Sequence, residues 1–596
     1  MLTTGDGCNA TVAEATTTTT TTSSIPVSSV PVDPCATVRS HSLAPSPEAL
    51  SSRNCLVGWT DSEETSVTSG TNAVIDMEMH QPDSELPALQ VLFKLWRIAG
   101  PAMVASFFQY SSQTITCMLV GHKLGAKELE RMAAGITSFN VCGITIGLGF
   151  LSALDTLASQ SYGRDPEGKE IGELLQRALF VCGLLAMPIL TLFAFSEPLL
   201  SLVFSPELAA GAAMFLHNSY IYLIAVFTHY CLMALINACG LTHLPLCGNV
   251  IMTLATAVLN YFFLSGSFVS AVWILATATI VNVAVLVFFL CTHPKLIGVR
   301  KATWPAPALF DLGLLKKYCK VGIAGMISVC AEWWAFEALL IIAAQVNDEA
   351  VGVMQVIFQI TTVFFLTSAG LSRATSALVG NALGANNAVE AQRIARLALF
   401  TICGTQLITA SIIFFTGENL WKLWTDDPDL LKHAGIIPLY ALSNILDGVQ
   451  YAIQGIFRGA GKQDKVAPRV LISLWAIGVA GAILFALPLK LGVGGIILGL
   501  TIGMAFEIPL LLVDLRKWNW NELAEEAAKN SSSAVEEATA SEGDSLSSAA
   551  PMIVKVDVVH KIALNVNSGE EMEMDDLDNL PHASSSKVQE GMVHVG

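Results

Sequence analysis

Between Leu92 and Trp518 apolar stretches alternate with short polar connections. Each stretch has about twenty residues, enough at 1.5 Å per residue to cross a hydrocarbon core of roughly 30 Å. The pattern predicts twelve membrane-spanning helices, near 98–118, 133–154, 175–196, 212–238, 246–265, 267–291, 318–345, 351–372, 395–416, 434–456, 467–488 and 493–514. An even number of spans puts both chain ends on one side of the bilayer. Loop Lys and Arg residues choose the side: 19 fall on the face of the termini and six on the other. Basic loops stay cytoplasmic, so both tails are expected in the cytosol. The tails, 1–90 and 519–596, are polar and cannot bury enough apolar surface to offset the entropy of ordering; disorder is expected in both.

A repeat supports the helix count independently. Residues 221 apart match in kind at Ala153/Ala374, Leu157/Leu378, Gly163/Gly384, Cys182/Cys403, Gly183/Gly404, Glu197/Glu418, Leu202/Leu423 and Gly240/Gly461. Such self-similarity marks a duplicated architecture. Six spans separate equivalent positions, so the two halves enter the membrane in the same direction. The expected fold is therefore an all-α polytopic membrane protein of two parallel six-helix lobes, 91–295 and 296–518, with substrate bound between or within them.

Composition agrees. The 596 residues are 53% hydrophobic and 14% charged, with a mean hydropathy of +0.58, whereas soluble domains carry about a quarter charged residues. The net charge of −17 belongs to the tails, which hold 26 of the 49 acids and 6 of the 32 bases. The part between them has 23 acids, 26 bases and no basic stripe, which argues against a nucleic-acid partner. Thirteen scattered cysteines include no CxxC or zinc spacing, so neither a metal site nor a cofactor is expected. HExxH, GxSxG and clustered His are absent, which argues against an enzyme. The N-terminus lacks a basic region followed by an apolar one, so insertion is expected to be directed by the first span. Glycosylation triplets at Asn9 and Asn530 lie in the tails and are taken as chance matches.

Ionisable groups inside spans cost at least about 2.5 kcal/mol and are functional candidates by default. They are Asp155, Glu332, Glu337, Arg373, Asp447 and Glu507. Asp155 and Arg373 sit near the cytoplasmic ends of the second and eighth spans, where snorkelling or helix-end pairing gives them a structural role. Glu332 and Glu337 lie five residues apart in CAEWWAFEALL, about 140° around the helix and roughly 7.5 Å along it, so both cannot face one cavity. Asp447, in the middle of the tenth span, is expected to form a carboxylate cluster with Glu332. Desolvation and a like-charged neighbour favour the neutral carboxyl, which makes binding of a proton and of a cation mutually exclusive. Exchange of one proton for one monovalent cation avoids the roughly 2.3 kcal/mol per charge that 100 mV imposes. Trp333, Trp334, Phe336 and Phe358 offer cation–π surface beside the acids, although packing is the commoner role of aromatics in a span. Carboxylates serve sodium as well as protons.

Four long motifs are specific: SALDTLASQSYG, CAEWWAFE, RATSALVGNALGANNAVEAQ and GIFRGAGKQ. On these, residues 92–518 resemble the multidrug and toxic compound extrusion (MATE) transporters of the eukaryotic branch. The resemblance implies alternating access between two lobes and proton-driven export of an organic cation or xenobiotic. It also implies that Glu332, Glu337 and Asp447 are the functional carboxylates and that Asn140 is a hydrogen-bonding residue of the first lobe. The first span, QTITCMLVG, has no aspartate where the bacterial branch often has one, which favours the second lobe. Gln359 stands where animal relatives have a glutamate, and Glu507 where a glutamine is common, as if a charge had moved between helices. The major facilitator motif is replaced by YGRDPEGKEIGE. A lipid-linked or metabolite flippase of the same superfamily and a sodium-coupled exporter are the alternatives. A monomer in the plasma membrane or an acidic vacuole is expected. Trp518 and Trp520, with Arg516 and Lys517, read as an interfacial anchor, and 552–566 as an unstructured apolar patch.

Overall fold

The computed structural model describes residues 87–202, 204–422 and 435–529. The tails 1–86 and 530–596, with the triplets at Asn9 and Asn530 and the patch 552–566, lie outside the described residues. Within them the chain is helical, without strands. Twelve long helical segments follow the expected order. They are α1 (Ala88–Leu124), α2 (Ala126–Phe139, a π-helical segment Asn140–Ile144, then Thr145–Arg164), α3 (Glu170–Ala194) and α4 (Pro206–Asn218 and Tyr220–Ala238, broken at Ser219). Next come α5 (His243–Phe263), α6 (Val269–Thr292), α7 (Leu312–Val346) and α8 (Asp348–Gly384). The last four are α9 (Ala388–Lys422), α10 (Ile437–Gly459), α11 (Gln463–Val470, a π-helical segment Leu471–Val479, then Ala480–Ala486) and α12 (Gly492–Arg516).

Eleven of these are long and apolar enough to cross a membrane. The exception is α10, whose buried face carries Ser443, Asn444, Asp447, Gln450 and Gln454. Its polarity is turned inward, and its outer face is apolar, with Leu442 48% exposed and Leu439, Ile445 and Leu446 half-buried. Side chains start several helices: the Asp311 carboxylate accepts from Gly313 N and Leu314 N at α7, and Asn347 Oδ1 accepts from Ala350 N at α8. Gly240 and Gly461, 221 apart, have φ of 72° and 69° at the α4–α5 and α10–α11 turns. That left-handed conformation suits glycine, so the repeat preserves the backbone and not only the hydropathy.

One apolar core is built on α1–α6 and takes in Tyr318 of α7, and another lies within α7–α12. The lobes meet where α2 crosses α7 and where α1 crosses α8. Gly149 leaves no room for a Cβ against Met326, and its counterpart Gly370 none against Met103. Toward the face of the termini α2 and α8 touch directly: Gly163 lies against the backbone of Asn381, and Gly384 against the backbone of Gln160. Both glycines and both of their partners are 221 apart, so each contact is the image of the other. A third core joins α1, α8, α9 and α10 on this side and includes Leu523, Ala524 and Ala527.

Those last residues belong to a helix, α13, at 520–529, inside the segment expected to be disordered. Lys462 Nζ donates to Glu526 Oε2 at 2.7 Å, and Trp518 packs edge-on against Phe457, 4.6 Å between centroids. Trp518 is thus a packing residue at the base of α10. Its anchoring partner is protein.

Candidate functional site

Asp447, Gln450 and Gln454 recur at i, i+3 and i+7 and so share one face of α10. That face is buried, and its two glutamine amides reach α7 and α12. It brings Asp447 (6% exposed) beside Glu332 of α7 (3%) and Glu507 of α12 (0%). The three carboxyls do not bond one another directly. Gln450 Nε2 donates to Glu332 Oε1 at 2.8 Å and, more loosely, to Asp447 Oδ1 at 3.4 Å. Gln454 Nε2 donates to Gln450 Oε1 at 2.6 Å and to Glu507 Oε1 at 3.4 Å. Two amides therefore wire three acids from three helices into one network. Among the described residues no Lys or Arg forms an ion pair with any of them. The nearest cationic influence on Glu332 is that of Arg458, one end of which donates to Ser372 Oγ at 3.1 Å. Buried carboxyls without paired cations are costly, and their neutral form or a bound cation relieves that cost.

Asp447 also lines a cavity of about 20 Å3 with Phe336, Phe358, Tyr440, Asn444 and Met504. Phe336 and Phe358 meet edge to face at 5.8 Å along the wall of this space. Sites for organic ligands measure about 300–1,000 Å3. In this conformation the C-lobe cavity has room for a water-sized group.

The other sequence candidates are dispersed. Glu337 is half-buried on another face of α7, with no hydrogen bond or ion pair among the described residues. The 140° between it and Glu332 separates them as helix geometry requires. Trp333 and Trp334 do not line the cavity: both are partly exposed, and Trp334 Nε1 donates to Val141 O of α2 at 3.3 Å. Trp334 is a bridge between lobes. Gln359 likewise spans the lobes, its Oε1 accepting from Tyr110 OH at 3.0 Å. Asn140 opens the π-helical segment of α2 and is half-buried. Arg373 Nη1 donates to Ser106 Oγ of α1 at 2.7 Å, and Asp155 lies in the field of Arg373 and Arg458. Both residues thus sit at the junction of the lobes.

The N-lobe holds a polar network that the sequence reading missed. Asn282 Nδ2 of α6 donates to Asn249 Oδ1 of α5 at 2.8 Å and lies 3.3 Å from His229 Nδ1 of α4. Asn249 Nδ2 donates to Ala105 O, and Ser112 pairs with Thr256 at 2.6 Å. His229 and Gln450 are 221 apart, as are Tyr230 and Tyr451. The same offset that revealed the lobes pairs these two hubs.

A MatE family profile matches residues 101–262 and again 325–484. The two matches fall in the two lobes and together cover more than half of the chain. The chain belongs to the MatE family. It is thus a multi-pass membrane transporter, and the MatE repeat accounts for the 221-residue offset. Similar proteins include multidrug and toxin extrusion protein 1 of Homo sapiens, 27% identical over 448 residues, covering 74% of this chain and 76% of that protein. The protein of the same name in Danio rerio is 26% identical over 440 residues, covering 73% and 74%. Among solved structures, the eukaryotic MATE transporter AtDTX14 superposes with a TM-score of 0.70 at 24% identity, covering 74% of this chain and 99% of its own. That likeness concerns the fold.

Proposed function

We propose that this transporter exports organic cations in exchange for protons, using the carboxyls of its C-lobe as the shared site. The observation that carries the reading is the Glu332–Gln450–Asp447 cluster, buried among apolar residues with no paired cation. Protonated, the cluster is neutral and tolerates burial; deprotonated, it attracts a cation to the cavity beside Phe336 and Phe358. Proton and substrate then compete for one site, which is the requirement for exchange. The names of the relatives support the substrate class. The small cavity and the α2–α7 and α1–α8 junctions fit a cycle in which the lobes separate to admit substrate from one face at a time. With 19 of the loop bases on the face of the termini, that face is cytosolic in this reading. Efflux then runs from the cytosol, across the plasma membrane or into an acidic vacuole.

The test is uptake of radiolabelled tetraethylammonium into proteoliposomes whose lumen is acidic. Accumulation that depends on the pH gradient and is lost in Glu332→Gln and Asp447→Asn is expected. Accumulation driven by a sodium gradient alone would replace the proton by sodium at the same carboxyls. Absence of cation movement in folded protein would overturn the substrate class.

A further inference from the structure

Glu507 is completely buried, and its two oxygens are unequal. Oε1 accepts one long hydrogen bond, 3.4 Å from Gln454 Nε2, while Oε2 has no partner among the described residues. The Glu332 carboxyl, by contrast, receives the Gln450 amide at 2.8 Å. Four other spans pack against α12. Of these, α7 contributes the charge of Glu332 and α10 that of Asp447, while α8 and α11 contribute no titratable group acting on Glu507 among the described residues. An isolated carboxylate oxygen without a donor is poorly tolerated in such a place; a proton on it removes the charge. The link to the Glu332–Asp447 pair is specific. Gln454 Nε2 faces both Gln450 Oε1 and Glu507 Oε1, so a turn of that amide trades the 2.6 Å bond for a closer approach to Glu507. A cation arriving beside Asp447 acts on all three acids at once, and the amides carry the rearrangement from the pair to Glu507.

We propose that Glu507 is a second proton-exchanging group, so that each turnover carries two protons against one monovalent organic cation. The inference rests on the proton-coupled reading above. On the cytosolic side two carboxyl O–H bonds break, one in the Glu332–Asp447 pair and one at Glu507, as the cation binds; on the far side the cation leaves and both bonds form again. Two positive charges enter for one that leaves. Transport therefore moves net charge and responds to membrane voltage as well as to pH.

The decisive measurement is the final accumulation of tetraethylammonium in acidic-lumen proteoliposomes, with the potential held at zero by potassium and valinomycin. Two protons per cation make the accumulation ratio rise about 100-fold per pH unit, whereas one proton gives about tenfold. The wild type is expected at the higher slope and Glu507→Gln at the lower one, still transporting. Glu507→Asp is expected to keep the higher slope. A wild-type slope of about tenfold, or the same slope in wild type and Glu507→Gln, would overturn the proposal. Should Glu507→Gln be inactive, Glu507→Ser takes its place: a slope of about tenfold supports the assignment, and the wild-type slope removes it. The underlying reading fails separately. In that case the wild type accumulates nothing under the gradient, whereas a tenfold slope abolished by Glu332→Gln leaves proton coupling intact and removes only the role of Glu507.

Discussion

At position 450 a glutamine amide bonds one carboxyl and approaches a second; 221 residues earlier His229 heads a chain of two asparagines. The counterparts of the C-lobe acids are neutral: Val226 stands for Asp447, and the first span, whose helix α1 is the counterpart of α7, carries no acid pair to match Glu332 and Glu337. Two bundles of one architecture thus enclose different chemistry. The N-lobe network satisfies much of itself with amides, hydroxyls and main-chain carbonyls, and needs no ion to exist in a membrane. The C-lobe network carries acids that only a proton or a cation can balance. One lobe is built to stay as it is; the other is built to change its charge.

The comparison can be broken most directly at its charged end. A charge in a span is worth at least about 2.5 kcal/mol, so Glu332→Gln is expected to lower proton-driven uptake by on the order of 100-fold. Ser111→Ala, in the first span of the N-lobe, is expected to leave uptake near wild type. Next in size is the converse graft. Val226→Asp gives the N-lobe the acid of position 447 without Gln450 beside it, and a loss of about 2.5–3.5 kcal/mol in stability is expected as a lower melting temperature in detergent. An unchanged melting temperature would mean that the N-lobe can already host an ion. The junction comes third. Gly384→Ala presses a methyl group on the backbone of Gln160. Overpacking of that kind costs about 1–3 kcal/mol, so a fall in transport rate on the order of tenfold is expected. Gly183→Ala, which meets open space, serves as its control. The smallest effect belongs to His229→Gln, which installs the C-lobe's own hub residue; uptake is expected within about threefold of wild type. Loss of transport there would make the N-lobe a participant.

The fold was legible because a bilayer imposes length and apolarity on each span, and because the 221-residue offset checks one half against the other. Even α10, the one helix of the twelve not apolar enough to count as a span by length and composition, lies near the expected 434–456. Asp447 was visible as an acid in an apolar context. Gln450 and Gln454 were not singled out, since an amide in a span is unremarkable until its face of the helix is known, although their spacing from Asp447 in SNILDGVQYAIQG already put them on that face. His229 needed the same step, from position 450 back to 229. Trp333 and Trp334 show the opposite: their type suggested a cation, but only packing decides that Trp334 turns to the other lobe. In the segment of α13 the acids outweigh Leu523, Ala524 and Ala527, whose burial depends on a surface formed by distant parts of the chain.

The mirrored contacts of Gly163 with Asn381 and of Gly384 with Gln160 are those of an isologous interface, the kind that closes a two-fold homodimer. Two identical six-helix subunits could have met in this way before they were joined. In such a dimer every substitution occurs twice, so an acid at the position of Glu332 would be matched by another in its twin, and the pore would carry both. Fusion of the subunits removes that constraint. The junction kept its symmetry because each side still has to fit the other, while the interiors became free to diverge, one retaining charge and the other doing without it.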